Sequence, residues 1–240
     1  MNHDFEEIIQ RFTEDVRGLY DDALLAVVLY GSAASGEYIR GKSNINSLIL
    51  LKEVTPHELK KCANHLQKWR KDGIVTPLFV DPAYINSSLD VFPIEFLDMK
   101  QRYRLLYGQD FLRDLELHST NLRFQCEQEL KGKMLRLRQL YVERAQSPQD
   151  LIRLLVKSSS SFMVLFRALL HLKKLAAPHS ADEILTGLSQ VGLRVDAMRK
   201  VFDLKRRDLT LGQSELDSLF ADYLGEIQAA IGHVDKMEIK

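Results

Sequence analysis

Apolar residues recur at three- and four-residue intervals near the start of the chain, at Phe5, Ile8, Ile9, Phe12, Val16 and Leu19, with acidic residues early in the run. This spacing predicts an amphipathic helix over about 4–20. The pattern then changes. Ala26-Val27-Val28-Leu29-Tyr30 is a β-type apolar run that stops at Gly31-Ser32, passes a small-residue turn containing Gly36, and resumes after Ser43-Asn44-Ile45-Asn46. A hairpin-like unit is expected over 25–51, with the first helix leading directly into it. Thr55-Pro56-His57-Glu58 has the form of a helix start with proline in the first turn, and Leu59, Cys62, Ala63, Leu66 and Trp69 then share one face up to about Lys71. Asp72-Gly73 ends that helix. Ile74–Val80 and Val91–Leu97 are two further short apolar runs, expected as strands, and Pro93 argues for an edge position or a strand start in the second.

From about Met99 the β-type runs nearly vanish, and Arg102–Gly108 closes the first part. Asn121 to about Gln146 carries Leu122, Cys126, Leu130, Met134, Leu137 and Tyr141 at helical spacing, interrupted only by Gly132. Ser147-Pro148-Gln149-Asp150 caps a helix reaching about Leu175, and shorter helices are predicted at 180–190, 194–204 and 213–231. The alternation in the first part reads as α/β and the second half as an all-α helical bundle, so an α+β chain divided into 1–112 and 113–240 is expected.

Composition narrows the function classes. The 240 residues, 45% hydrophobic, can bury a sizeable core. Lys+Arg and Asp+Glu are both 33, so there is no overall basic field and no general nucleic-acid binding is expected. The densest basic stretch, Lys131, Lys133, Arg136, Arg138 and Arg144, is interleaved with Glu127, Glu129 and Glu143 and reads as a solvated helix face. Cys62 and Cys126 lie far apart in helix-like segments, which suits buried free thiols, and no Cys/His spacing suits a metal. The acidic N-terminus is unlike a signal sequence, and no apolar run approaches the roughly 20 residues that span a bilayer. A cytoplasmic protein without membrane association is expected.

Candidate chemistry concentrates in the hairpin-like unit. Gly31-Ser32-Ala33-Ala34-Ser35-Gly36 followed by Ser43-Asn44-Ile45-Asn46-Ser47-Leu48-Ile49 resembles the DNA polymerase β-like nucleotidyltransferase superfamily. Its pattern is Gly-Ser, a loop with a further glycine, then Ser-Asp-x-Asp entering a strand. The resemblance covers about 25–108, and the helical half looks like the C-terminal bundles of kanamycin-nucleotidyltransferase-type and minimal, bacterial-type nucleotidyltransferases. It implies a mixed sheet with flanking helices for the first part, and a short helix after Gly31-Ser32 whose N-terminal amides face phosphates. It also implies paired carboxylates on one face of the second strand that hold Mg²⁺, and a third carboxylate on a later strand, matched by Glu95 in Ile94-Glu95-Phe96.

This chain departs from that pattern at the two positions that matter most for the metal, which are Asn44 and Asn46. An amide offers a neutral oxygen, a poor sole anchor for Mg²⁺. The expectation is a catalytically degenerate nucleotidyltransferase fold that binds a nucleoside triphosphate or other anion through Gly31, Ser32, Gly36, Ser43, Asn44 and Asn46, with no cofactor. Mg²⁺ enters only if the site is active, in which case Glu95, another acid such as Glu37, Asp90 or Asp98, and substrate phosphates supply the metal site. A third expectation is an interaction protein of antitoxin type, with a protein partner or homodimer formed through the helical domain. Arg40, Lys42, Arg153 and Lys157 are candidate phosphate-holding cations. Ser158–Ser161 sit mid-helix, where hydroxyls usually bond back to the preceding turn.

Overall fold

A computed structural model describes residues 3–36, 38, 43–175, 178, 180–207 and 211–239. The chain forms two compact units, Met1–Leu117 and His118–Lys240. In the first, helix α1 (His3–Tyr20) leads into strand β1 (Leu24–Tyr30), and β2 (Asn46–Leu51) returns antiparallel to it. Helices α2 (Pro56–Lys61) and α3 (Leu66–Lys71) precede β3 (Leu78–Val80), which pairs parallel with β2. Helices α4 (Pro82–Ser88) and α5 (Pro93–Gln101) lead to β4 (Tyr103–Gly108), antiparallel to β1. The sheet is mixed, with strand order β3-β2-β1-β4.

Strand alternation divides this unit into two cores. Val27, Leu29, Ile49 and Leu51 face α1 and pack with Phe12, Val16 and Trp69, whose ring meets Phe12 edge-on at 5.0 Å between centroids. Ala26, Val28, Leu48 and Leu50 face the other way and pack with Ile85 of α4, Phe96 and Met99 of α5, and Leu112. The Trp69 indole N–H donates to Asp15 at 3.0 Å and the Lys68 ammonium sits 2.8 Å from the same carboxylate, tying α3 to α1.

Several local expectations are corrected. The helix foreseen from Pro56 to Lys71 is broken by a turn at 62–65. Of the Ile74–Val80 run only Leu78–Val80 is strand, while Ile74 makes an isolated parallel bridge to Ile45. The strand foreseen at Val91–Leu97 is instead helix α5, with Pro93 in its first turn. Pro93, Ile94, Phe96, Leu97 and Met99 are all buried, so the helix shows no amphipathic stripe and its alternating start resembles a strand. Helix α4 was not foreseen. Asp81 caps it by accepting from the Tyr84 N–H at 2.7 Å, with Pro82 in the first turn, the same device that opens α2 at Thr55.

The second unit contains α6 (Ser119–Arg144), α7 (Pro148–Leu172), α8 (Ala181–Gln190), α9 (Asp196–Arg207) and α10 (Gln213–Asp235). The short link at 145–147 makes α6 and α7 antiparallel neighbours, and Ser147 caps α7 by accepting from the Asp150 N–H. Helix α7 is long and apolar enough to cross a membrane, yet 61% of its most apolar window is buried inside the protein, as Leu155, Phe162 and Phe166 of a core helix are. Glu226 of α10 is 5% exposed and accepts from the N–H groups of Ala197 and Met198, both at 2.9 Å, so α10 caps the preceding helix α9. Both cysteines are buried free thiols, and burial pushes the Cys126 thiol up to about 12.

Candidate functional site at the Gly31 end of the sheet

The site lies where β1 ends, β2 begins and β4 begins. Tyr30 is paired with Asn46 on one side and Tyr103 on the other, so the three side chains share the sheet face covered by α5. Gly31 follows with φ 75°, a conformation suited to glycine. Its N–H donates to the Arg102 carbonyl at 2.9 Å, and its carbonyl accepts from Ala34 and Ser35 at 3.0 and 3.1 Å. The Asn46 side-chain nitrogen lies 3.5 Å from where a Cβ on Gly31 would stand, so the amide of Asn46 borders the turn itself.

The helix expected after Gly31-Ser32 is a three-residue 3₁₀ turn, Gly31–Ala33, without a side-chain cap. The expected helix N-terminus is therefore corrected for Gly31–Gly36: the chain tightens into a turn because the Gly31 carbonyl takes both following N–H groups. The Gly31 amide is already spent on Arg102, so it is not an anion donor. Ser32 is half-buried, and its carbonyl accepts from the Ser35 hydroxyl at 3.4 Å. Gly36 has φ 81° and open space around it. Ser43 is half-buried and Asn44 exposed, just ahead of the bridge residue Ile45. Glu37, Arg40 and Lys42 lie outside the described residues.

Glu95 is not where the resemblance placed it. It is exposed in the first turn of α5, between buried Ile94 and Phe96, and belongs to no strand. The carboxylate that approaches the Asn46 end is Asp98, one helical turn on. It raises the pKa of the Tyr30 phenol, which burial, the larger cause, already pushes up. Asp98 is neutralised in place: one terminal nitrogen of Arg102 contacts its two oxygens at 2.9 and 2.8 Å. Arg102 thus acts twice, its backbone fixing Gly31 and its side chain covering Asp98. Tyr103 donates to both oxygens of Asp110 at 3.0 Å, and its phenol is raised by burial and then by that bond. The i,i+4 spacing of Asp98 and Arg102 could have signalled the pair, had the segment been read as helix.

The donor set decides what the site can hold. Asn44 and Asn46 present neutral oxygens, and Asp98 already carries a guanidinium. Among the described residues no group of three or more His, Cys, Asp or Glu side chains is placed to hold a metal ion. These residues do not fit a carboxylate-bound Mg²⁺ pair.

Neither a family model nor a curated protein matches the chain. Among solved structures, a spectinomycin adenyltransferase, AAD(9) from Enterococcus faecialis, with ATP and spectinomycin, is similar at 11% identity and a TM-score of 0.45. The match covers 93% of this chain and 99% of that one. At that distance the likeness carries no argument about activity.

Proposed function

We propose that this chain is a nucleotidyltransferase-fold protein that has lost nucleotidyl transfer and acts as a binding or regulatory module, taking a nucleoside triphosphate or similar anion at the Gly31–Asn46 end of its sheet. The observation that supports this most is the amide of Asn46 against the Gly31 turn, with the approaching acid Asp98 paired to Arg102. A carboxylate-lined site repels a polyphosphate until a divalent cation bridges the two. A site with amides in those places has no such repulsion, so its binding does not need the metal.

Titration calorimetry of the full chain with ATP, in Mg²⁺ and again in excess chelator, tests this. The Kd is expected to change by less than about threefold on metal removal, and Asn46→Asp is expected to weaken metal-free binding by about tenfold, the worth of one adverse charge at close range. Absence of ATP binding under both conditions overturns the binding reading. Metal-dependent transfer to any acceptor overturns the loss of activity.

A further inference from the structure

The basic run on α6 separates once it is folded. Lys131 pairs with Glu127 and Asp235, and Arg138 reaches Gln228 of α10, so those two cations are turned away and occupied. Lys133, Arg136 and Arg144 line a cleft of about 410 Å³ between α6 and α7, joined there by Lys157 of α7. Among the described residues no acidic side chain lines it. Its apolar wall is Leu137, Leu154 and Phe162, all buried.

The cations differ in how far they are compensated. Lys133 is paired with Glu129 at 3.2 Å, and Arg136 donates to the neutral Gln139 at 3.4 Å. Among the described residues the side chains of Arg144 and Lys157 have neither ion-pair nor hydrogen-bond partner. Two serine hydroxyls also face the cleft, but their protons are committed to the preceding turn, Ser158 to the Leu155 carbonyl and Ser161 to the Ser158 carbonyl, both at 2.8 Å. Recognition of a negative group therefore falls to the cations.

We propose that this cleft binds a small organic anion with an apolar or planar body, its phosphate or carboxylate held by Arg144 and Lys157 and its body against Leu137, Leu154 and Phe162. The volume falls in the range of small-molecule sites, and four cations around an apolar wall, in a chain of zero net charge, are complementary to that chemistry. The cleft lies wholly within the second unit and does not rest on the Gly31 site.

Anilinonaphthalene sulfonate, a planar anion, serves as the probe, followed by its fluorescence with the intact protein. The wild type is expected to bind it saturably and more weakly as salt rises. Lys157→Gln with Arg144→Gln is expected to weaken binding at least about tenfold, while Lys157→Arg retains it. Asn46→Ala is expected to leave it unchanged, which separates this cleft from the sheet-end site. Both substituted cations are at least partly exposed, and circular dichroism checks that the fold is kept. Competition by AMP identifies a phosphate ester as the occupant, and competition by decanoate a carboxylate amphiphile. Either supports the proposal. It is overturned if the double variant binds the probe as the wild type does, if neither competitor displaces it, or if only a single-stranded oligonucleotide does.

Discussion

Gly36 and Gly108 share a positive φ of 81° but differ in their surroundings, and that contrast decides what each tolerates. Among the described residues a Cβ on Gly36 would meet nothing within 4 Å, whereas one on Gly108 would lie 2.0 Å from the Leu25 carbonyl oxygen, across the ladder on β1. Gly36→Ala is therefore expected to cost about 1 kcal/mol for the backbone conformation alone, and Gly108→Ala about 3 kcal/mol or more, because β4 must move away from β1. Urea denaturation of the two variants checks the order. The sequence names both glycines without distinguishing them, since the clash belongs to a neighbouring strand that residue order does not reveal. The Gly31 turn was legible for the opposite reason: its strand, glycine and serine are contiguous. That its amide is held by Arg102 was not legible, because the partner lies beyond four helices and two strands in sequence.

At the scale of elements, periodicity succeeded where one face is buried and failed where burial surrounds the element. Helix α1 and the long helices α6, α7 and α10 fall close to where the spacing of apolar residues put them. Helix α5 does not, since five of its nine residues are buried without a stripe, and β4 does not, since Tyr103 to Tyr107 are half-buried on both faces and give no alternation. The Glu95 assignment failed with the α5 strand on which it depended. Capping across elements is equally invisible to local reading. Glu226 supplies the N-terminal acceptors of α9 from α10, 28 or more residues along. Glu226→Ala leaves two N–H groups buried against no acceptor and is expected to destabilise by about 2–4 kcal/mol, whereas Glu226→Gln keeps one oxygen and is expected to cost about half as much. Thermal unfolding of the pair distinguishes a capping role, in which Gln rescues part of the loss, from simple packing, in which the two are equal.

At the scale of the whole molecule, each unit carries its own core, and the segment after β4 belongs to the first. Leu112 is 0% exposed and packs with Val28, Leu48 and Phe96, while the Lys100 ammonium holds the Leu115 carbonyl at 2.6 Å. Leu112→Ala in the full chain is expected to cost about 2–5 kcal/mol, read by hydrogen exchange as lost protection in β1 and β2. Net charge was legible from composition, but its distribution was not: a chain with as many acids as bases still gathers four cations at one cleft, because folding turns Lys131 and Arg138 toward α10. The pairing of Arg102 with Asp98 has a consequence for how this sequence can change. Aspartate at 46 would stand opposite Tyr30, which feels the charge of Asp98, and Asp98 is already paired to Arg102. Aspartate at 46 brings uncompensated charge to a half-buried strand end, whereas aspartate at the exposed position 44 remains in contact with solvent. If the proposed binding role holds, a single substitution at this sheet end therefore adds charge without assembling a metal site.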